Sequence, residues 1–231
     1  AARDAAYEFI LERRDDLIFL HSKKSLGPAE FARIGEMPIP PYMRRAAAPT
    51  DSETYQNFFK EQIAQKEKVQ GSAASPTAAL HFTPALHETL RSQGVEFHPV
   101  CLDIGYGTFA PLTGENFTQG KLHAEHYYIP PATAERFGGV GRKIALGTTA
   151  LRALLSFQKY GVAEGESEIF ITPKDNIMGV DGLITNFHLP RSSLILLTAA
   201  FCGRKLLAQA YSEAIQRGYR FYSYGDAMLI I

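Results

Sequence analysis

The chain has 231 residues, 45% of them hydrophobic and 21% charged, with 24 Lys+Arg against 24 Asp+Glu and a formal net charge of zero. That apolar share excludes wholesale disorder. The charge balance excludes a protein coated in positive charge for nonspecific nucleic-acid binding, while a local basic patch stays open.

Two cysteines, Cys101 and Cys202, are too few for a disulfide framework or a four-cysteine zinc site, and read as free thiols in a reducing compartment. The longest apolar run, Leu194 to Cys202, falls far short of the ~20 residues that span a bilayer. Charges within Ala1–Tyr7 stand where a signal peptide would be apolar. These readings lead to the expectation of a cytoplasmic protein with no membrane partner.

In chain order, Asp16–His21 has the composition of a strand. Met37–Tyr42, dense in proline, predicts an extended connector and the boundary between residues 1–35 and 36–231. Thr50 and Glu53 fit a capping box, and Tyr55, Phe58, Phe59 and Ile63 recur at helical spacing, which predicts a helix over about 51–68. Thr83, Pro84 and Gly94 bracket a second helix. Val95–Ile104 is expected as a strand, as is a segment running through Tyr127–Pro131. Lys143–Leu146 is a short strand that Gly147-Thr-Thr149 turns into a helix ending at Gly161. Ile169–Ile171 and Gly182–Phe187 predict strands. Ser192 or Ser193 caps a helix to Cys202, Arg204–Arg217 continues helically, and Tyr219–Tyr224 and Met228–Ile231 close the chain as strands. Alternation of strands and helices from residue 83 onward predicts an α/β fold, a mixed sheet with helices on both faces.

Five short motifs carry the candidate chemistry. Gly105-x-Gly107-x-x-Ala110 matches a dinucleotide fingerprint on paper, but Pro111 follows and no helix is expected to receive a pyrophosphate. The two glycines then mark a sharp turn or a ligand loop. His123-x-Glu125-His126 suggests a metal site, yet lacks the cysteine pair of the zinc deaminases and the zincin spacing. On a strand His123 and Glu125 would share a face, suited either to acid–base work or to an ordinary polar pair. Thr148 and Thr149 open a helix whose free N–H groups suit an anion, with Arg152 one turn on; plain capping by Thr149 is the simpler alternative. Asn186 and His188 end a strand where α/β sheets bind ligands. Asp226, after Gly225, is a turn former or a site residue.

Taken together and in order, Pro76–Thr83, Gly105–Phe109, His123-Ala-Glu125, Gly147–Thr149 with Arg152, Asp181–Pro190 and Tyr224–Ile230 resemble the S-adenosylmethionine:tRNA ribosyltransferase-isomerase family of queuosine biosynthesis. Glu36–Tyr42 and Tyr55-Gln56 also fit. The resemblance implies an α/β domain with a smaller β-barrel domain inserted near the N-terminal side. Residues 1–35 would be the tail of that barrel and 36–231 the main catalytic domain. The implied reaction moves the ribosyl unit of S-adenosylmethionine onto the aminomethyl group of a 7-deazaguanine in a tRNA anticodon. Adenine and methionine are released and epoxyqueuosine is formed. The implied partners are tRNA and S-adenosylmethionine, with no metal, and the chain is expected as a monomer.

That chemistry needs a base for the acidic C5′ proton beside the sulfonium and a donor for the departing adenine. His81, His123 and His188 are the candidates, with base and acid unassigned. Glu125 would orient His123 or face the sulfonium. Thr148, Thr149 and Arg152 would hold the methionine carboxylate, and Asn186 would read a base edge or a ribose hydroxyl. Thr83, Gly105, Gly107, Thr108, Phe109 and Asp226 complete the implied substrate-binding set. The sequence departs from the family at Asp103, where a His is usual, at Ala79 for a Gly, at Leu155 for a Glu, and at Lys174-Asp175 for Gly-Tyr. These departures sustain an alternative, a noncatalytic or divergent relative that binds RNA or a nucleoside.

Overall fold

The computed structural model describes residues 9–14, 17–57, 59, 72, 74–105 and 111–231. The chain divides into two compact units, Ala1–Ser52 and Glu53–Ile231. In the first, β1 (Phe9–Arg14) and β2 (Leu17–Ser22) form an antiparallel hairpin with Phe9 opposite Ser22 and Arg14 opposite Leu17. Glu12 is its polar hinge, with its carboxylate 2.6 Å from Arg14 Nε and 2.7 Å from His21 Nε2. A short helix α1 (Pro28–Ile34) and a single turn at Pro41–Met43 follow.

The helix expected over 51–68 begins as α2 (Asp51–Thr54), and most of its remaining length lies outside the described residues. The Asp51 carboxylate accepts the Ala48 N–H at 2.7 Å and grips both terminal nitrogens of Arg45 at 2.6 and 2.8 Å.

In the second unit, a 3-10 turn (Thr77–His81) leads to α3 (Pro84–Ser92). Thr83 caps α3 by accepting the Leu86 N–H at 3.2 Å. β3 is only Cys101–Leu102, not the whole of 95–104. Pro99 has no N–H to give a ladder, and its carbonyl instead accepts the Thr133 hydroxyl at 2.8 Å. Then come α4 (Gly114–Gln119), β4 (Lys121–Tyr128), α5 (Pro131–Gly138), β5 (Ile144–Leu146), α6 (Thr148–Tyr160), β6 (Glu164–Ile169), β7 (Gly182–Asn186), α7 (Ser193–Cys202), α8 (Arg204–Gln216) and β8 (Ala227–Ile230). Tyr219–Tyr224 is not a strand: Tyr222 takes a left-handed backbone at φ 74 and the segment turns back on itself.

The mixture of α and β stands, but the sheet is divided. β3, β4 and β6 form one antiparallel sheet; β5, β7 and β8 form another, with β5 parallel and β8 antiparallel to the central β7. Helix α6 joins them. Its Leu151 and Leu155 enter the core with Ala145, Leu183 and Leu197, while Ala153 enters a second core with Leu102, Tyr127 and Ile129. Gly147 starts this helix at φ 92 and Gly161 stops it at φ 71, both conformations that glycine adopts without a Cβ penalty.

Leu183 is 0% exposed and paired on both sides, to Ala145 and to Ile230. Replacing Leu183 by Ala is expected to cost about 2–5 kcal/mol of stability, read as a lowered urea midpoint at unchanged slope.

Candidate functional site

Two polar junctions tie distant motif segments together. The first is centred on Asn186 at the C-terminal end of β7, 2% exposed. Its side-chain oxygen accepts the Thr77 hydroxyl at 3.2 Å, and its amide donates to the Gly225 carbonyl at 3.3 Å. The Thr77 turn, the end of β7 and the Tyr224-Gly225-Asp226 turn are thereby held side by side. The turn leaves no room for a side chain at Gly225, where a Cβ would collide with the backbone of Arg220 and Phe221. The Thr77 turn also approaches the start of α6, since a Cβ at Gly147 would sit 3.8 Å from the Ala78 Cβ.

His188 lies just past this junction. Its ring Nε2 is 2.8 Å from the Thr185 hydroxyl, and its backbone N–H donates to the Tyr211 hydroxyl at 2.7 Å. Burial pushes the imidazole down to about 4, so it is neutral near neutral pH. Phe187, Tyr211 and Phe221 pack alongside, Phe187 and Phe221 with centroids 4.8 Å apart.

Asp226 accepts the Arg220 N–H at 2.8 Å and its Nη2 at 3.1 Å. These bonds hold its carboxyl below the usual range, the backbone contact contributing most and His81 a smaller, purely electrostatic share. His81, exposed at the end of the Thr77 turn, is therefore within electrostatic reach of Asp226.

The second junction joins β4 to α6. Glu125 and Arg152, 3% and 4% exposed, form an ion pair between Oε2 and Nη1. Glu125 thus engages Arg152, which differs from one of its two expected roles, that of orienting His123. The reason is local. Between Lys121 and Glu125 the register of β4 against β6 slips, so that four residues of β4 span two of β6 (Lys121 opposite Ile169, Glu125 opposite Ser167). Such a bulge breaks the alternation of faces, leaving His123 exposed and Glu125 buried.

The remaining residues divide between these places. Thr148 is buried and Thr149 half-buried at the first turn of α6; Gly147, not Thr149, is the N-cap, and no side chain caps this end. Thr83 acts as the α3 cap, and Gly105 is exposed. Gly107, Thr108 and Phe109 lie outside the described residues. The 3-10 turn that ends at His81 is tied through Thr77 to Asn186, two residues before His188, whereas His123 stands on the other sheet.

A cluster missed in the sequence surrounds His126, whose Nδ1 is 3.5 Å from Asp103 and whose Nε2 is 3.6 Å from Glu164. Antiparallel pairing on both sides of β4 creates it: the Asp103 N–H donates to the His126 carbonyl at 2.8 Å just past β3, and Glu164 of β6 stands opposite Tyr128, diagonal to His126. Only those strand pairings, which no local motif encodes, could have revealed it. Among the described residues, no three or more His, Cys, Asp or Glu side chains are grouped to hold a metal.

Comparison with known proteins assigns the chain. The model of a family described as queuosine biosynthesis protein matches residues 9–230. The chain belongs to this family. It is 48% identical over 206 residues to an S-adenosylmethionine:tRNA ribosyltransferase-isomerase of Geobacter metallireducens, covering 86% of this chain and 58% of that protein. It is 43% identical to the enzyme of the same name from Chlorobium luteolum, covering 99% and 69%. A crystal structure of an S-adenosylmethionine tRNA ribosyltransferase from Thermotoga maritima aligns at a TM-score of 0.55 and 39% identity, covering 67% of this chain and 51% of that one. The chain therefore spans a little over half the length of curated relatives such as those of Geobacter and Solibacter, at 58% and 56%.

His188 carries a pH consequence. Its folded value, about 4, lies below the unfolded imidazole value of about 6.5, so the unfolded state binds the proton first. Stability is expected to be full above about 6.5 and to fall as pH drops toward 4. His188→Gln should flatten that interval of the curve, measured by denaturant unfolding across pH. Gly225→Ala should lower stability by about 1–3 kcal/mol, the range for overpacking, and loosen the Asn186 junction.

Proposed function

We propose that this chain carries the site for transfer and isomerisation of the ribosyl unit of S-adenosylmethionine onto 7-aminomethyl-7-deazaguanine in a tRNA anticodon, with release of adenine and methionine. The observation that carries this reading is the family match over residues 9–230, joined to the meeting of its scattered motifs at Asn186 and at the Glu125–Arg152 pair. S-adenosylmethionine is then the ribosyl donor, tRNA the acceptor, and the cytoplasm the place of action.

The acceptor amine is the nucleophile, so no serine or cysteine is required to attack. His188, kept neutral by burial and held by Thr185, has the form needed to accept a proton or a hydrogen bond. His81, exposed and beside Asp226, is suited to serve the departing adenine. His123 is the third candidate, open to a bound tRNA on the other sheet. Thr148 and Thr149 offer hydroxyls and N–H groups at the start of α6, to which Arg152 adds charge. Thr83, Gly105, Gly107, Thr108, Phe109, Asn186 and Asp226 complete the binding set.

The contact of Asp103 with His126 favours a second reading. An acid at a position where the family usually has an imidazole changes both the charge and the proton affinity there, as expected in a relative that binds a nucleoside or RNA without turning it over.

The test is adenine release from S-adenosylmethionine in the presence of precursor-modified tRNA. Release by the unaltered chain is expected, with a loss of about 10²–10⁴-fold in at least one of His81→Ala, His123→Ala and His188→Ala. Near-normal turnover in all three would overturn the histidine assignment. Binding of donor and tRNA without adenine release would favour the second reading.

A further inference from the structure

Backbone strain gathers beside the Asn186 junction. Among the described residues, three that are not glycine take a left-handed backbone: Arg44 at φ 50, Arg191 at φ 59 and Tyr222 at φ 74. A Cβ disfavours that region, and such residues persist where their surroundings fix them, often at binding sites. Two of the three adjoin the segment Phe187–Pro190. Arg191 follows it directly, in a turn closed by Ser192, whose hydroxyl donates to the Leu189 carbonyl at 2.8 Å and accepts the Ile195 N–H at 3.3 Å. The Tyr222 N–H donates to the Phe187 carbonyl at 3.0 Å, and the Tyr222 carbonyl accepts the Gly225 N–H at 3.0 Å.

These turns present a cation and a ring to solvent. Arg191 and Tyr222 are exposed, as are Tyr219 and Arg220 a few residues before Tyr222. Arg220 is tied to Asp226, whereas Arg191 makes no ion pair among the described residues. Both exposed tyrosines touch a packed aromatic group. Buried Phe187 meets Tyr219 edge-on at 6.1 Å and Phe221 at 4.8 Å, and Phe221 meets Tyr222 edge-on at 6.3 Å. Rings backed in this way are ordered before a ligand arrives, which lowers the entropic cost of binding.

Exposed ring faces beside an uncommitted guanidinium match one chemistry in particular. Unpaired nucleotides splay their bases onto aromatic side chains and leave their phosphates to arginine, while a duplex keeps its base faces inside its own stack. A chain of zero net charge lacks the cationic surplus to hold a polyanion by phosphate contacts alone, so stacking must contribute.

We infer that Arg191, Tyr219 and Tyr222 form a face for an unpaired stretch of RNA, with bases stacked on the two tyrosines and a phosphate at Arg191. The inference rests on the tRNA acceptor proposed above and supplies contacts for it. The face adjoins His188 through Phe187, so the nucleotides it holds are the unpaired neighbours of the one being modified.

The experiment measures binding of an anticodon stem-loop and of a fully paired RNA of equal length by fluorescence anisotropy across a salt series, with donor binding followed by calorimetry. The unaltered chain is expected to bind the stem-loop about tenfold or more tightly than the duplex. Arg191→Gly removes the cation and the strain together, so its thermal midpoint should hold while stem-loop affinity falls about fivefold at 0.1 M salt and the log–log salt slope becomes shallower by about 0.7. Tyr219→Leu should weaken stem-loop binding about 5- to 150-fold with the salt slope unchanged, and Tyr219→Phe should retain it. Donor affinity should be unchanged in all three. Equal binding of stem-loop and duplex by the unaltered chain would overturn the face, and this arm needs no variant. Stem-loop affinity and salt slope left unaltered by both Arg191→Gly and Tyr219→Leu would also overturn it, with the acceptor reading intact. Loss of donor binding in Arg191→Gly with RNA binding preserved would move Arg191 to the donor and overturn its phosphate role. No binding of either RNA would overturn the acceptor reading and this inference together.

Discussion

The buried pair of Glu125 and Arg152 is the constraint around which the second unit is organised. Removing one partner of such a pair strands the other charge away from water, at a cost of about 3–5 kcal/mol. The fold must therefore deliver both groups to the same place. The acid comes from the strand of one sheet and the base from the helix that packs on both. The bulge in β4 is part of that delivery, because unbroken alternation would put Glu125 on the same side as exposed His123. Close by, the Ser156 and Ser167 hydroxyls, both 0% exposed, meet at 2.5 Å and bind the same helix to β6.

The Asn186 junction follows the same logic without charge. Its amide offers an acceptor to one turn and a donor to another, and both turns come from chain segments far away in sequence. An aspartate there would lack the donor and a leucine would lack both. What results is a rigid meeting point of three loops at the end of a parallel strand pair, where α/β proteins place their ligands. His188 and Asp226 owe their positions to it.

Much of this was legible in the residues. Helix α6 announced itself through Gly147-Thr-Thr149 at its start and Gly161 at its end. The Thr83 cap and both helices after Ser192 follow from equally local rules. What failed was nonlocal. The strand expected at Ile169–Ile171 runs instead over the polar stretch Glu164–Ile169, because β4 supplies the partner there. Tyr219–Tyr224 has strand composition, but its aromatic rings pack on Phe187 and the backbone turns to let them. Helix α5 was missed despite Pro131 at its first position, and α4 despite Thr113 and Asn116 forming its capping box. Three of the motif segments meet at Asn186, while the partners of Glu125 and His126 depend on strand register and a bulge that no short pattern encodes.

Helix α6 packs against β3, β4 and β6 of one sheet and against β5 and β7 of the other. Neither sheet can then shed this helix without exposing the other's apolar face. Local openings that release β4 should release β7 as well, giving their backbone amides a shared exchange rate under native conditions. The motif residues, split between two small sheets, are thereby held in one body, and their relative geometry is expected to outlast motions that would scramble two separately folded lobes.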